Sequence, residues 1–417
     1  MKQLFGYQSY WFVGATLTLG LLGWLAVEQA TAQVRPGAPP GVGPQTPGVT
    51  VYTVPSQQAQ EHVDYVNAQA MLLPKAPKGS AAQVQDDLIN TLASQILASQ
   101  IPLADSGGSM PGSNGTGALD PVSLGVPRPT THDAEGVTPQ EFGIANEPFS
   151  TARADLNALA TNTSYPYSAS GKLFFNIGTS TFVCSTSLIS PGVVVTAAHC
   201  VAAFGQQQFY SGWQFVPGYR NGIAPFGVWS VRSAVVLTSY LDGTDPCAVD
   251  GIVCQDDVAI LLLNTSPLGA YPGTATGWYG FGWNDFGFTA SGLTQITQIG
   301  YPVCLDNGFL MERNDSVGFQ SVSSSNNTII GSLMCGGSSG GPWLVNFGLR
   351  PVLTSTTNGT APNPNIVVGV TSWGYDDTSI KQQGASPFTS RNIVLLVNAV
   401  CTAVPEACSV VVDAPIR

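Results

Sequence analysis

Two adjacent serines sit between glycine pairs in "MCGGSSGGPWLV", residues 334–345, and a histidine ends the β-rich run "GVVVTAAHC", residues 192–200. A serine hydroxyl is a weak nucleophile at neutral pH. It needs a base within hydrogen-bond reach and N–H donors for the oxyanion that forms. Glycines on both sides of it let the backbone turn tightly and leave room for a carbonyl. The segment "DDVAILLL" sets Asp256 and Asp257 at the mouth of an apolar strand. A carboxylate there can accept from an imidazole and fix its tautomer. Each piece also has a plain structural reading: a flexible Gly/Ser loop, a strand-end histidine in a core, aspartates in a turn.

Chain order narrows the choice. "GSSGG" fits the G-x-S-x-G elbow, with Ser339 central, but that elbow needs its histidine after the serine. The three histidines, His62, His132 and His199, all come before it. An order of Asp, His, Ser would require alternating helices and parallel strands, and that alternation is missing. The order that remains is His, Asp, Ser.

Those residues need a frame. From about Tyr165 the chain reads "GKLFFNIG", "STFVCSTSLI", "GVVVTAAHC", "WSVRSAVVL", "DDVAILLLN", "TQITQIGYPV" and "IVVGVTSWG". These are short β-branched and aromatic runs separated by Gly, Pro, Asn and Ser, the pattern of an antiparallel barrel or sandwich. "SRNIVLLVNAVCTAV", from Ser390, reads as one helix near the end.

The 417 residues include 47 glycines and 30 prolines, with only 9% charged. The balance is acidic, 25 Asp and Glu against 14 Lys and Arg, and no basic run is present, which argues against nucleic acid as a partner. Residues 1–32 read as an export signal: Lys2, an apolar stretch from Tyr10 to Val27, then Ala30-Thr31-Ala32 as the cleavage pattern. The rival reading is an uncleaved membrane anchor, since about 18 residues just span a bilayer. Residues 33–164 have no cysteine and two turn-rich stretches, "RPGAPPGVGPQTPGV" and "DSGGSMPGSNGTG", flanking the helical pattern "DDLINTLASQILASQI". Their composition suggests a low-complexity pro-segment or linker, partly disordered, that is removed or loosely attached. Arg153 in "STARADL" offers a cut.

"TAAHC", "DVAIL", "SSGGP" and "GVTSWG", in that order, resemble the trypsin-like (chymotrypsin-fold) serine peptidases over roughly residues 165–410. The resemblance implies an all-β fold of two antiparallel six-stranded barrels with a C-terminal helix, in a domain spanning 165–417. It implies His199 as general base and then general acid, Asp257 as its orienting carboxylate, and Ser339 as nucleophile. Asp256 is one place too early for the family motif. The oxyanion hole would be the backbone N–H groups of Gly337 and Ser339. Leu333 would lie at the floor of the specificity pocket. Thr371, Ser372, Trp373 and Gly374 would form the strand beside it. Ser338 is a departure: mammalian digestive members carry aspartate there. "GYP" at 300–302 is nearer the bacterial glutamyl-endopeptidase (V8-like) branch, which usually has a histidine where Thr371 stands.

Eight cysteines, an even count behind an export signal, favour disulfides over metal. The resemblance pairs Cys184 with Cys200 across the histidine loop. It places Cys335 at a family position, with Cys304 its most economical partner. Cys247 with Cys254, and Cys401 with Cys408, would close local loops. On the order of 100 pairings are open to eight cysteines. An acidic loop, Asp242, Asp245 and Asp250, has calcium-type ligands but reads better as a solvated loop. The expectation is a secreted or periplasmic monomer with no cofactor or metal. It would act on protein or peptide substrates, and contact membrane only through an uncleaved leader. A catalytically inactive homologue serving as a binding or adhesion module is the alternative, and an esterase on the same fold a third reading.

Overall fold

The computed structural model describes residues 48–76, 107–117, 119–126, 141–142, 148–154, 160–245, 247–249, 253–254, 256–289, 292–321, 327–348, 363–375 and 380–408. The export signal and the helical pattern from Asp86 lie outside them. Among the described residues, no helix is long and apolar enough to cross a membrane.

Two closed barrels of six antiparallel strands form the frame. The first runs Ser170–Ile177, Ser180–Ser190, Val193–Thr196, Ala259–Leu263, Trp229–Leu237 and Ser211–Pro217. It closes where Trp229–Leu237 pairs with Ala259–Leu263, Val235 opposite Ile260. The second runs Leu293–Gly300, Pro342–Val345, Ile366–Tyr375, Gln382–Pro387, Asn327–Gly331 and Glu312–Ser321. It closes between the last of these and Leu293–Gly300, from Leu293 opposite Phe319 to Gly300 opposite Glu312. The expected fold is therefore present. Apolar runs such as Val193–Val195 and Ala259–Leu263 are buried throughout, because both faces of those strands meet packed side chains.

The C-terminal helix, Ile393–Ala403, buries Ile393, Val394, Leu396, Val397, Val400 and Cys401, a 3.6-residue stripe. It begins at Ile393, three residues after the expected start at Ser390, because Asn392 caps it: its Oδ1 accepts from the backbone N–H groups of Ile393 and Thr389.

The front half differs from the linker expectation. Val49–Thr53 is antiparallel to Trp229–Leu237, with Val51 opposite Val235. Gln69–Ala70 runs parallel to Phe182–Val183, and Lys75–Ala76 parallel to Gly374–Tyr375. Gly108–Met110 pairs with Phe281–Trp283, and Phe149–Arg153 with Glu312–Ser316. Composition missed this because these short strands need no core of their own. They satisfy their backbone on strands the barrels already supply. Arg153 is no open cutting site either. Its Nη2 donates to Asp306 Oδ1 at 2.5 Å, a second bond joins Nε to Oδ2, and its side chain is 14% exposed.

Three disulfides join Cys184 to Cys200, Cys304 to Cys335 and Cys401 to Cys408, as expected. The backbone sets Cys247 opposite Cys254, but their side chains lie outside the described residues. Cys184 and Cys200 are fully buried and 16 residues apart. Replacing both with alanine should lower unfolding free energy by roughly 3 kcal/mol, the chain-entropy value for such a loop. Denaturant unfolding with matched buffers measures it; a loss near zero would contradict a structural role.

Candidate active site

The site is built from the seam of the two barrels. Strand Val193–Thr196 ends in a single 3-10 turn, Ala198–Cys200, which carries His199. The disulfide from Cys200 to Cys184 on the neighbouring strand holds that turn. Asp257 precedes strand Ala259–Leu263, which pairs with Val193–Thr196, so the ladder brings the two residues together. Asp257 Oδ2 meets His199 Nδ1 at 2.7 Å, and Asp257 Oδ1 accepts from the His199 backbone N–H at 2.8 Å. A third bond comes from Ser372 Oγ to Oδ2, at 2.6 Å. Burial would push the Asp257 carboxyl up, but His199 and the hydrogen bonds from His199 and Ser372 outweigh it and hold the group below the usual carboxylate range. Asp256 plays another part: its Oδ1 accepts from Asn392 Nδ2 at 3.3 Å, tying this strand mouth to the helix cap.

Ser339 lies on the turn before Pro342–Val345. Its carbonyl accepts from the Ser185 backbone N–H at 2.7 Å, which anchors the turn of the second barrel to a strand of the first. Gly340 makes the closest approach. Its φ is +75°, and an added Cβ would lie 2.0 Å from Thr196 Oγ1 and 2.7 Å from Ala197 N, on the chain leading into His199. Only glycine fits there. Gly337, at φ +93°, is equally restricted, since a Cβ would lie 2.6 Å from Tyr301 O. Ser339 Oγ and His199 Nε2 are both buried and have no hydrogen-bond partner. Ser338 is also buried but turns elsewhere: its Oγ donates to Cys335 O at 2.7 Å and accepts from Gln383 Nε2 at 3.4 Å.

The predicted pocket residues separate into two groups. Leu333 and Gly374 line one cavity of about 380 Å³, together with Met334, Tyr375, Ile380, Lys381 and Gln383. Thr371, Ser372 and Trp373 do not line it. Thr371 Oγ1 accepts from Gln298 Nε2 and Trp343 Nε1, both at 2.9 Å, so the position where a histidine was looked for is a buried polar node. Ser372 faces Asp257, and Trp373 packs with Phe319 and Ile329.

Several contributors were not found from sequence. Ser185 Oγ donates to Gly337 O at 2.8 Å and accepts from Tyr301 N at 2.9 Å, bracing the glycine turn. Tyr301 of the "GYP" segment is buried, its hydroxyl bonded to Tyr219 O at 3.0 Å. Met71, from the front half, accepts from the Gly337 N–H at 3.1 Å. Ser185 sits beside a cysteine that was recognised, but nothing in its type marked a bracing role.

The acidic loop is solvated only in part, with Asp242 exposed and Asp245 buried. Asp245 is 4% exposed and its Oδ2 accepts from Asp256 N at 3.1 Å. Burial first, and the charge of Asp256 second, push Asp245 up to about 7. Asp242 Oδ1 caps its own turn through Thr244, and Asp250 lies outside the described residues. The His/Cys/Asp/Glu cluster with metal-type spacing among the described residues is Cys184, His199 and Cys200. The disulfide between its two sulfurs removes the thiolate ligands.

A curated relative, an extracellular metalloprotease of Bacillus subtilis, is 29% identical over 129 residues, 30% of this chain. The chain spans only 36% of that relative's length. Among solved structures, the protease Anisep from Arthrobacter nicotinovorans is similar at 24% identity and TM-score 0.44, covering 57% of this chain and 94% of its own. A thermostable serine protease, AL20, from an extremophilic microorganism has 23% identity and TM-score 0.44, covering 54% and 93%. A Glu endopeptidase has 16% identity and TM-score 0.42, covering 63% and 97%. The trypsin family model matches residues 158–392, more than half of the chain, and those residues hold both barrels, His199, Asp257 and Ser339. The chain belongs to the trypsin family of serine peptidases.

Proposed function

We propose that this protein is an exported serine endopeptidase that cuts peptide bonds through an acyl-enzyme. The observation that carries the reading is the doubly held Asp257–His199 pair, at 2.7 and 2.8 Å, across the seam from a buried Ser339 hydroxyl that makes no hydrogen bond. His199 takes the Ser339 proton as Oγ attacks the substrate carbonyl. It returns that proton to the leaving amine, then activates the water that frees the acid. Asp257 keeps Nδ1 protonated, so Nε2 is the basic nitrogen. The N–H groups of Gly337 and Ser339 receive the oxyanion. Export rests on the leader at residues 1–32, and mass spectrometry of the secreted form would give the mature start. An organophosphonate that phosphonylates activated serines, with loss of its leaving group from phosphorus, should label Ser339 and no other serine. Absence of labelling in a folded chain whose cleft is open to peptide would favour an inactive homologue that only binds.

The pocket sets the proposed substrate class. Leu333, Met334, Tyr375 and Ile380 give the cavity apolar walls. Lys381 is the charged residue on its described lining. Arg220, Arg232 and Arg391 are not on that lining. A buried unpaired cation would cost several kcal/mol. We therefore propose cleavage after aliphatic residues such as leucine or methionine. Profiling on a mixed peptide library should show that preference. Dominant cleavage after Arg or Lys, or after Glu, would contradict it.

A further inference from the structure

Residues 69–76 cross the candidate site as one extended strap. Gln69 and Ala70 pair with Phe182 and Val183, and Met71 N donates to Val183 O at 2.9 Å. The Met71 carbonyl then accepts from the Gly337 N–H at 3.1 Å, the donor assigned above to the oxyanion. Leu72 and Leu73 line the cavity that contains Leu333. Leu73 lies over Gly374, so close that an added Cβ there would be 3.3 Å from Leu73 Cδ1. Pro74 O accepts from Gly374 N at 3.0 Å, and Lys75 and Ala76 continue along Gly374 and Tyr375. Oxyanion donor, side-chain pocket and strand edge are the three features an extended peptide would use here. The strap holds all three at once.

We propose that this strap is an inhibitor carried by the chain itself, one that keeps peptide substrates out until it is displaced. The proposal rests on the peptidase reading above. The register explains why the strap blocks the cleft without being consumed. Productive attack needs the pocket side chain and the carbonyl at the oxyanion donors to belong to the same residue. Here the carbonyl is that of Met71, while the side chain set against Gly374 of the pocket is that of Leu73, two residues on; Leu72 borders the cavity but is 70% exposed. The reacting groups are out of register, and misplacement of that order costs a large part of the rate.

The test uses the full chain carrying Ser339→Ala, so that no turnover is needed, and a fluorescent octapeptide with a central leucine. Adding Leu72→Asp and Leu73→Asp should tighten binding of that peptide at least tenfold. The free peptide of residues 69–76 should compete at up to roughly millimolar concentration, the effective concentration a short tether provides. Should the double change not fold, Leu73→Ser alone should move binding in the same direction. Unchanged binding in a folded variant, or failure of the free peptide to compete, would overturn the proposal. The two readings fail separately. Ser339 labelled by organophosphonate, with binding indifferent to the strap, removes the inhibitor and leaves the peptidase. Binding that responds to the strap, with Ser339 unlabelled even in the chain carrying Leu72→Asp and Leu73→Asp, removes the peptidase and leaves the occlusion.

Discussion

Ser339→Ala should lower kcat on the order of 10⁶-fold, the loss seen when a triad nucleophile is deleted, and leave a residue of catalysis from the oxyanion donors and substrate binding. Ser338→Ala should keep kcat within about tenfold. The physical difference lies in what each hydroxyl touches. Ser339 Oγ has no structural hydrogen bond to lose, whereas Ser338 Oγ is held by Cys335 O at 2.7 Å and by Gln383. Removing it should cost stability of about 1 kcal/mol, as for a neutral hydrogen bond, rather than chemistry. The comparison needs kcat and unfolding measured on both variants, in chains freed of the strap. Equal losses of kcat in two folded proteins would show the nucleophile has been misassigned.

Asp257→Asn should lower kcat by about 10⁴-fold with the fold intact. An amide in place of Oδ2 presents N–H to His199 Nδ1, which selects the tautomer with its proton on Nε2. That nitrogen then faces Ser339 already protonated and cannot act as base. KM should move little, because no contact to substrate is lost. A rise in KM with kcat retained would show that Asp257 shapes the pocket and does not orient the base. The same carboxylate links to stability. Its folded pKa is depressed, so its contribution is complete above the unfolded value of about 3.9 and disappears as pH falls through the lower folded value.

The sequence shows the first barrel more readily than the second. Val193–Val195 and Ala259–Leu263 are uninterrupted apolar strands, because both faces are buried. Glu312–Ser321, "ERNDSVGFQS", is one of the longest strands of the second barrel yet reads as a polar loop. Glu312, Asn314 and Ser316 are buried, and the backbone and side chains of Pro148–Arg153 help satisfy them; Thr151 Oγ1, for example, lies 2.5 Å from Asn314 Oδ1. No periodicity rule anticipates a buried polar face whose partners lie about 160 residues away. His199, Asp257 and Ser339, the proposed triad, stand out in the sequence because the motifs that carry them follow one another in a fixed order. Thr371, Ser372 and Trp373, expected as the strand beside the pocket, turn their side chains to Gln298 and Trp343, to Asp257, and to Phe319 and Ile329, contacts that their place in the strand does not announce. The strap was illegible for another reason. "QAMLLPKA" carries no motif that marks a site, and most of its contacts run through backbone groups that every sequence possesses.

The strand at Val49–Thr53 has a consequence for any shortened form of this protein. It covers Ser233–Leu237, the half of Trp229–Leu237 that Ser211–Pro217 does not reach, since the latter pairs only with Trp229 and Ser230. Trimming the chain to start near residue 165 would uncover those five residues as a bare sheet margin. Ala234, Val235, Val236 and Leu237 are buried there, with no charged side chain or proline to discourage a stranger. Such a margin invites pairing with the same segment of a second molecule. A trimmed form would then self-associate, and its solubility would depend on concentration in a way the full chain's would not.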